Sequence, residues 1–148
     1  MYASCPHDGW GDSPPEEQSR RSIYIYVKRS LLTPLLTAFD FPDTDISCEA
    51  RFNTLQPGQA LSLLNSEFAH DRAAELARRV LQEAGDEPSR QVASAIELAL
   101  NRPATDDEVA EGVSLMNRLK NQYQLASTDA LERWCLVILN LNEFLFLD

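Results

Sequence analysis

Apolar residues in the second half of the chain recur every three or four positions, with polar residues between them. This spacing is typical of amphipathic helices, and it predicts helices over residues 58–65, 66–85, 88–101, 105–123 and 128–144. The fourth of these helices would line its inner face with Val109, Val113, Met116, Leu119 and Tyr123. The fifth would present a broad apolar face made of Leu131, Trp134, Cys135, Ile138, Leu141 and Leu145. Because the fifth helix is the most hydrophobic, we expect it at the centre of a bundle.

Residues with strong positional preferences mark the ends of these helices. Ser66 can cap one helix at its start, and Gly85 is suited to ending it. Pro88 fits the first turn of the next helix. Glu108 follows Thr105 at the spacing of a capping box. Acidic residues are concentrated at the start of that helix, where they suit the helix dipole, so we interpret them as stabilising the fold.

The first half of the chain has a weaker pattern. Residues 1–20 are rich in Gly, Pro and Asp and show no periodicity, which indicates an arm that is either flexible or packed as a strap. The β-branched and aromatic residues at 23–27 favour a strand locally, but apolar residues continue at every fourth position. We predict a helix over about 22–38, which Pro34 would break or kink. Turn-forming residues then begin a long connection over 40–57.

These elements predict an all-α fold, an irregular bundle of five to six helices with a long ordered loop near residues 40–57. The helical domain would span residues 21–148, behind the arm over 1–20. A chain of 148 residues is long enough for one hydrophobic core of this kind.

The charge balance narrows the choice of partners. The chain has 13 Lys and Arg against 23 Asp and Glu, which is a formal net charge of −10. This charge argues against nucleic acid or an anionic membrane surface as a partner, because both would repel it. The sequence has no run of about 18 apolar residues, so we expect no insertion into a membrane.

Residues suited to catalysis or metal binding are few. His7 lies in the arm and His70 on a predicted helix, and neither belongs to a recognised metal-binding pattern. A nucleophilic pair of Cys48 and His70 would require the two to meet in space, and only the residue types support it. Phosphate-binding glycine motifs are also absent from the sequence. We therefore expect no metal and no cofactor in this chain. Cys135, within an apolar run, is predicted to be a core thiol.

A polar stretch beside an apolar helix is the candidate interaction surface. Its amides could simply tie the 40–57 loop to the helix, because buried amides need hydrogen bonds. Alternatively, the stretch could contact another domain or a ligand. Two arginines at the start of a predicted helix oppose the helix dipole. They could likewise either pair with carboxylates within the fold or contact another domain or a ligand. The candidate residues are Arg20, Arg21, Arg51, Thr54, Gln59 and Asn65.

Five short segments occur in an order that carries a family resemblance. They are residues 20–24 (RRSIY), 38–42 (AFDFP), 59–65 (QALSLLN), 100–105 (LNRPAT) and 139–145 (LNLNEFL). Together they resemble the DUF1553 (PSD1) domain of planctomycete-type bacterial proteins, over about residues 20–148. The resemblance implies the C-terminal portion of a larger, exported protein that carries a DUF1549 domain and often a cytochrome-c-like domain further upstream. It implies no catalytic residues.

Three functional hypotheses follow from the residues and the resemblance. The first is a non-catalytic module that packs against other domains of its parent protein or against a protein partner. The second is an enzyme part that forms one wall of an active site, for polysaccharide or redox chemistry, with Arg21, Arg51 and Gln59 as contributors. The third is a homo-oligomer built on an exposed apolar patch.

Overall fold

The computed structural model of this chain describes residues 57–145. Within this range it contains only helices and their connections. They are α1 (Pro57–Leu64), α2 (Glu67–Ala84), α3 (Pro88–Leu100), α4 (Asp106–Tyr123), α5 (Ser127–Ile138) and α6 (Asn142–Leu145). The all-α prediction is therefore confirmed. The predicted arm, the helix over 22–38 and the loop over 40–57 lie outside the described residues, and the domain division based on them stays a prediction.

Helix α5 lies at the centre of the bundle, as predicted. Half of the twelve residues of α5 are buried. Leu131, Cys135 and Ile138 are fully inaccessible to solvent. Helix α5 packs against α2, α3 and α4, and these neighbours also contact one another in chain order. The core is therefore built around α5, and the three helices that surround it are all longer.

Small residues allow α2 and α4 to lie close to their neighbours. Helix α2 buries three alanines at four-residue intervals, Ala69, Ala73 and Ala77. Helix α4 buries Gly112 near its middle. A Cβ atom added to this glycine would lie 2.6 Å from Val92 Cγ1. A glycine inside a helix costs about 1 kcal/mol relative to alanine, and the close packing at this position explains why one is found here.

Most of the predicted helix ends are found in the structure. Thr105 and Glu108 form the full capping box at the start of α4. Gly85 ends α2 in a positive-φ conformation (φ 71°), and its N–H donates to the Leu81 carbonyl at 3.1 Å. Pro88 is the first residue of α3. Ser66 precedes α2, but its side chain makes no capping hydrogen bond.

The prediction of a single helix over 128–144 is wrong. Helix α5 ends at Ile138, a turn follows, and α6 begins only at Asn142. In the turn, the Asn140 side-chain amide donates to the Leu136 carbonyl at 2.8 Å. The N–H groups of Asn140 and Leu141 bond to carbonyls three residues back instead of four. Asparagine side chains compete in this way with helical hydrogen bonding, which explains the break.

The predicted burial at two helix ends is also wrong. Tyr123 is 63% exposed, because it is the last residue of α4 and Gln124 then turns the chain in a left-handed conformation. Leu141 is 36% exposed, because the turn after α5 removes it from the buried face of that helix. The last two described residues are only partly docked, since Phe144 is 44% exposed and Leu145 is half-buried.

Candidate functional site

A cluster of three charged residues joins the α3–α4 connection to α4 and α6. The guanidinium of Arg102 donates to both carboxylate oxygens of Glu143, with Nε–Oε1 at 2.6 Å and Nη2–Oε2 at 2.8 Å. It also donates to both carboxylate oxygens of Glu108, with Nη1–Oε2 at 3.0 Å and Nη2–Oε1 at 2.7 Å. We call Arg102, Glu108 and Glu143 the arginine cluster. Paired, charge-assisted bonds of this kind are among the strongest hydrogen bonds in proteins.

The local sequence places Arg102 at this position. Helix α3 ends at Leu100, and the capping residue Asn101 adopts a left-handed conformation (φ 55°), with its N–H donating to the Glu97 carbonyl at 2.9 Å. Pro103 follows and cannot supply a helical N–H donor. Arg102 lies between these two helix-ending residues, and its Nη1 also donates to the Pro103 carbonyl at 3.2 Å. The arginine is thus held at the corner between two helices.

Glu108 is fixed from its other side by the capping box. Its Oε2 accepts from the Thr105 backbone N–H at 2.8 Å. Its own backbone N–H donates to the Thr105 hydroxyl at 3.3 Å. The same carboxylate therefore caps α4 and binds Arg102, which links the α3–α4 corner to the start of α4.

Hydrogen bonding shifts the pKa values in the arginine cluster. The bonds to Glu143 and Glu108 raise the pKa of Arg102 above its ordinary value. The bond from Arg102 is the main cause that lowers the pKa of Glu108 to about 2. The same partner lowers the pKa of Glu143. All three groups are therefore charged at neutral pH, whereas a general acid or base works best with a pKa near the working pH. This arrangement holds the fold together and is not suited to proton transfer.

No pattern in the sequence predicted the arginine cluster. Glu108 was recognised only as a capping residue, and Arg102 only as part of a short segment of the family resemblance. Glu143 lies 41 positions after Arg102. One signal could have indicated the pairing of Arg102 with Glu143. Arg102 lies between two helix-ending residues, so it has no carboxylate one turn away on its own helix and needs a partner from elsewhere in the chain.

The candidate interaction residues are described only in part. Gln59 is half-buried and has an interaction partner. Asn65 is exposed, and its side-chain amide donates to the Leu61 carbonyl at 3.0 Å. This bond satisfies a carbonyl in the last turn of α1 and does not involve the 40–57 loop. The candidate residues Arg20, Arg21, Arg51 and Thr54 lie outside the described residues, so the interaction surface stays a prediction.

Large apolar side chains are exposed around the α1–α2 junction. Leu61 is 57% exposed, Leu64 40% and Phe68 41%. We call these three residues the junction apolar segment. The guanidinium carbon of Arg72 lies 5.6 Å from the centre of the Phe68 ring, a cation–π distance. These three exposed apolar residues fall within eight positions, and a second set of three, Val137, Leu141 and Phe144, spans eight positions at the other end of the described chain.

The described residues hold few groups suited to metal or thiol chemistry. Residues 57–145 contain no group of three or more His, Cys, Asp or Glu that could hold a metal ion. The Nδ1 atom of His70 lies 3.2 Å from Arg133 Nη1. Cys135 is fully buried, as predicted, and burial raises the pKa of its thiol to about 12. This part of the chain also has no helix that is both long and apolar enough to cross a membrane.

The described residues thus form an all-α domain in which the arginine cluster, charged at neutral pH, joins α4 and α6 to the α3–α4 connection. The chain belongs to the family described as PSD1, Protein of unknown function (DUF1553), which matches residues 2–116. The match includes the arm, which the sequence resemblance had left out, and it ends within α4. No curated protein and no solved structure is similar enough to this chain to count as a match.

Proposed function

We propose that this chain is a non-catalytic helical module, with no cofactor of its own, that packs against other domains of a larger parent protein or against a protein partner. The observation that carries the proposal is the exposure of the junction apolar segment. Exposed apolar side chains that are grouped on a surface rimmed by polar residues commonly mark protein interaction sites.

The charges around the junction apolar segment support a protein as the occupant of this surface. Glu67 directly precedes Phe68, Asp71 and Arg72 follow about one helical turn later, and all three are exposed. An apolar centre with a charged rim of both signs is the usual composition of a protein interface. The overall negative charge argues against nucleic acid as an alternative occupant.

The use of ionisable residues elsewhere supports a non-catalytic role. The arginine cluster engages its charges in paired hydrogen bonds. On α2, Arg78 pairs with Glu75, and Arg79 pairs with Glu83 at 2.7 Å. These pairs have helical spacing on an exposed face, where they contribute a few tenths of a kcal/mol each to helix stability. A role in stabilising the helix is enough to explain these ion pairs.

Footprinting with hydroxyl radicals tests this proposal. The oxidation of Leu61, Leu64 and Phe68 is measured in the chain alone and in the full reading frame that contains it. We expect strong protection of these residues in the longer protein. Val137 is the matched control, because it is 37% exposed but lies on α5. Equal oxidation of the junction apolar segment in both proteins would overturn packing of this segment against other domains of the parent protein.

Calorimetry on the chain alone tests the non-catalytic part independently. We expect no heat of specific binding with Zn²⁺, with haem or with polysaccharide fragments. Tight binding of any of these three probes would contradict the proposal, because the chain would then carry chemistry of its own.

A further inference from the structure

Residues 139–145, the turn after α5 together with α6, are attached to the domain in an unusual way. We call them the α6 segment. Helix α6 has no buried residue, although it packs against α3. Its strongest described attachment is the pair of hydrogen bonds between Glu143 and Arg102, at 2.6 and 2.8 Å. Charge, more than apolar burial, therefore holds α6 in place, whereas Leu139 at the start of the segment packs against the core.

The two ends of the arginine cluster differ in how firmly they are anchored. Glu108 belongs to the capping box and lies on α4, a helix with buried residues in the core. Glu143 has no such second anchor, and its side chain is 50% exposed compared with 31% for Glu108. If the cluster opens, it should open on the side of Glu143, while Arg102 stays bound to Glu108.

The turn that leads into α6 is suited to act as a hinge. Its residues Leu139–Leu141 are not helical, and the buried Oδ1 of Asn140 has no hydrogen-bond partner. A buried polar atom without a partner costs free energy, and local opening would allow water to reach it. The closed arrangement therefore has a local weakness where the segment would move.

We propose that the α6 segment is a salt-releasable latch, which Arg102 holds closed through Glu143 and which opens without unfolding the helices of the core. Regions with few buried contacts and exposed hydrogen bonds open locally at a low free energy. Added salt screens exposed charge pairs more strongly than buried ones, so salt favours opening. The latch does not depend on the proposed interaction role, because both of its states belong to this chain.

Amide exchange measured by NMR on the full chain tests the latch. The reporter amides are those of Phe144 and Leu145, which donate to the Leu141 carbonyl at 3.0 and 3.1 Å. In Glu143→Ala we expect them to exchange several-fold faster than in the wild type. The core amides of α3 and α5 should exchange at unchanged rates. Glu111→Ala is the matched control, because Glu111 is also exposed and acidic but lies on α4.

A salt titration provides a second, independent measurement without a variant. About 1 M salt shortens the screening length to about 3 Å. We expect this salt to accelerate the reporter amides in the wild type and in Glu111→Ala, but not in Glu143→Ala. The proposal would be overturned if the reporter amides exchanged equally fast in Glu143→Ala and the wild type. It would also be overturned if salt accelerated them equally in these two proteins. Faster exchange of the core amides in parallel with the reporters would also overturn it.

Discussion

Replacing Gly112 by alanine should destabilise this domain, although alanine is the better helix former. An added Cβ would lie 2.6 Å from Val92 Cγ1, 2.9 Å from Trp134 Cζ2 and 3.0 Å from Val92 Cγ2. Val92 is fully buried and β-branched, and Trp134 is only 8% exposed. Neither side chain can easily rotate away, because β-branched residues are stiff at χ1 and the surrounding core is closely packed.

The expected magnitude follows from two opposing terms. Extra atoms in a well-packed core cost about 1–3 kcal/mol, and three contacts at or below 3.0 Å place this case at the upper end. The gain in helix propensity from glycine to alanine is about 1 kcal/mol. The free energy of unfolding should therefore fall by about 2 kcal/mol. For a chain of this size, such a loss lowers the Tm by roughly 4–8 °C.

Urea denaturation followed by circular dichroism measures the change. Gly58→Ala is the matched control, because a Cβ at Gly58 would meet nothing within 4 Å and the residue also lies within a helix. This variant should be as stable as the wild type or slightly more stable. If Gly112→Ala is as stable as Gly58→Ala, the close packing of α4 against α3 and α5 described above is wrong.

Three further predictions concern the helix cap, the buried thiol and acid stability. Thr105→Ala should lower the free energy of unfolding by about 1 kcal/mol, the usual contribution of a cap, whereas Thr128→Ala should have a smaller effect in the same urea assay, since the Thr128 hydroxyl bonds only to Asp129. Cys135 should resist maleimide labelling at pH 8 in the native protein and react after unfolding, as peptide mass spectrometry can show, because burial raises its pKa to about 12. Glu108 should contribute stability above its unfolded pKa of about 4.3, and that contribution should be lost as the pH falls toward its folded pKa of about 2.

Each of these predictions has an outcome that contradicts it. Equal losses in the two threonine variants would show that the capping box adds nothing specific. Native labelling of Cys135 at the rate of an exposed thiol would show that the core opens readily. For Glu108, the wild type should lose more stability than Glu108→Gln between neutral pH and pH 2, because the variant lacks the titrating group. Parallel pH profiles would refute the lowered pKa of Glu108.

The sequence predicted well those features that depend on residues close together in the chain. The capping box of Thr105 and Glu108, the stop at Gly85 and the burial of Cys135 are all found in the structure. These features depend on periodicity and on hydrogen bonds between near neighbours, which the order of residues encodes directly. The candidate interaction surface stays a prediction, since only Gln59 and Asn65 fall within the described residues.

The last helix shows where local patterns are insufficient. Its apolar period continues from Leu131 to Leu145, so the sequence alone favoured one uninterrupted helix. The break at Leu139–Leu141 depends on a competing side-chain bond from Asn140. The spacing of apolar residues does not reveal such competition. Whether a side-chain bond interrupts the helix depends on its energy relative to the backbone bonds and the packing that continuing the helix would give.

By itself, the sequence determined the helical class of this domain, the central place of α5 and the chemistry of most helix ends. The tertiary structure alone decided that Arg102 pairs with Glu143 across 41 positions, that Gly112 meets Val92 and Trp134, and that Phe144 stays partly exposed. The physical reason is the range of the interactions. Caps and periodicity act within one or two helical turns, whereas these contacts exist only once the helices have packed into one particular arrangement.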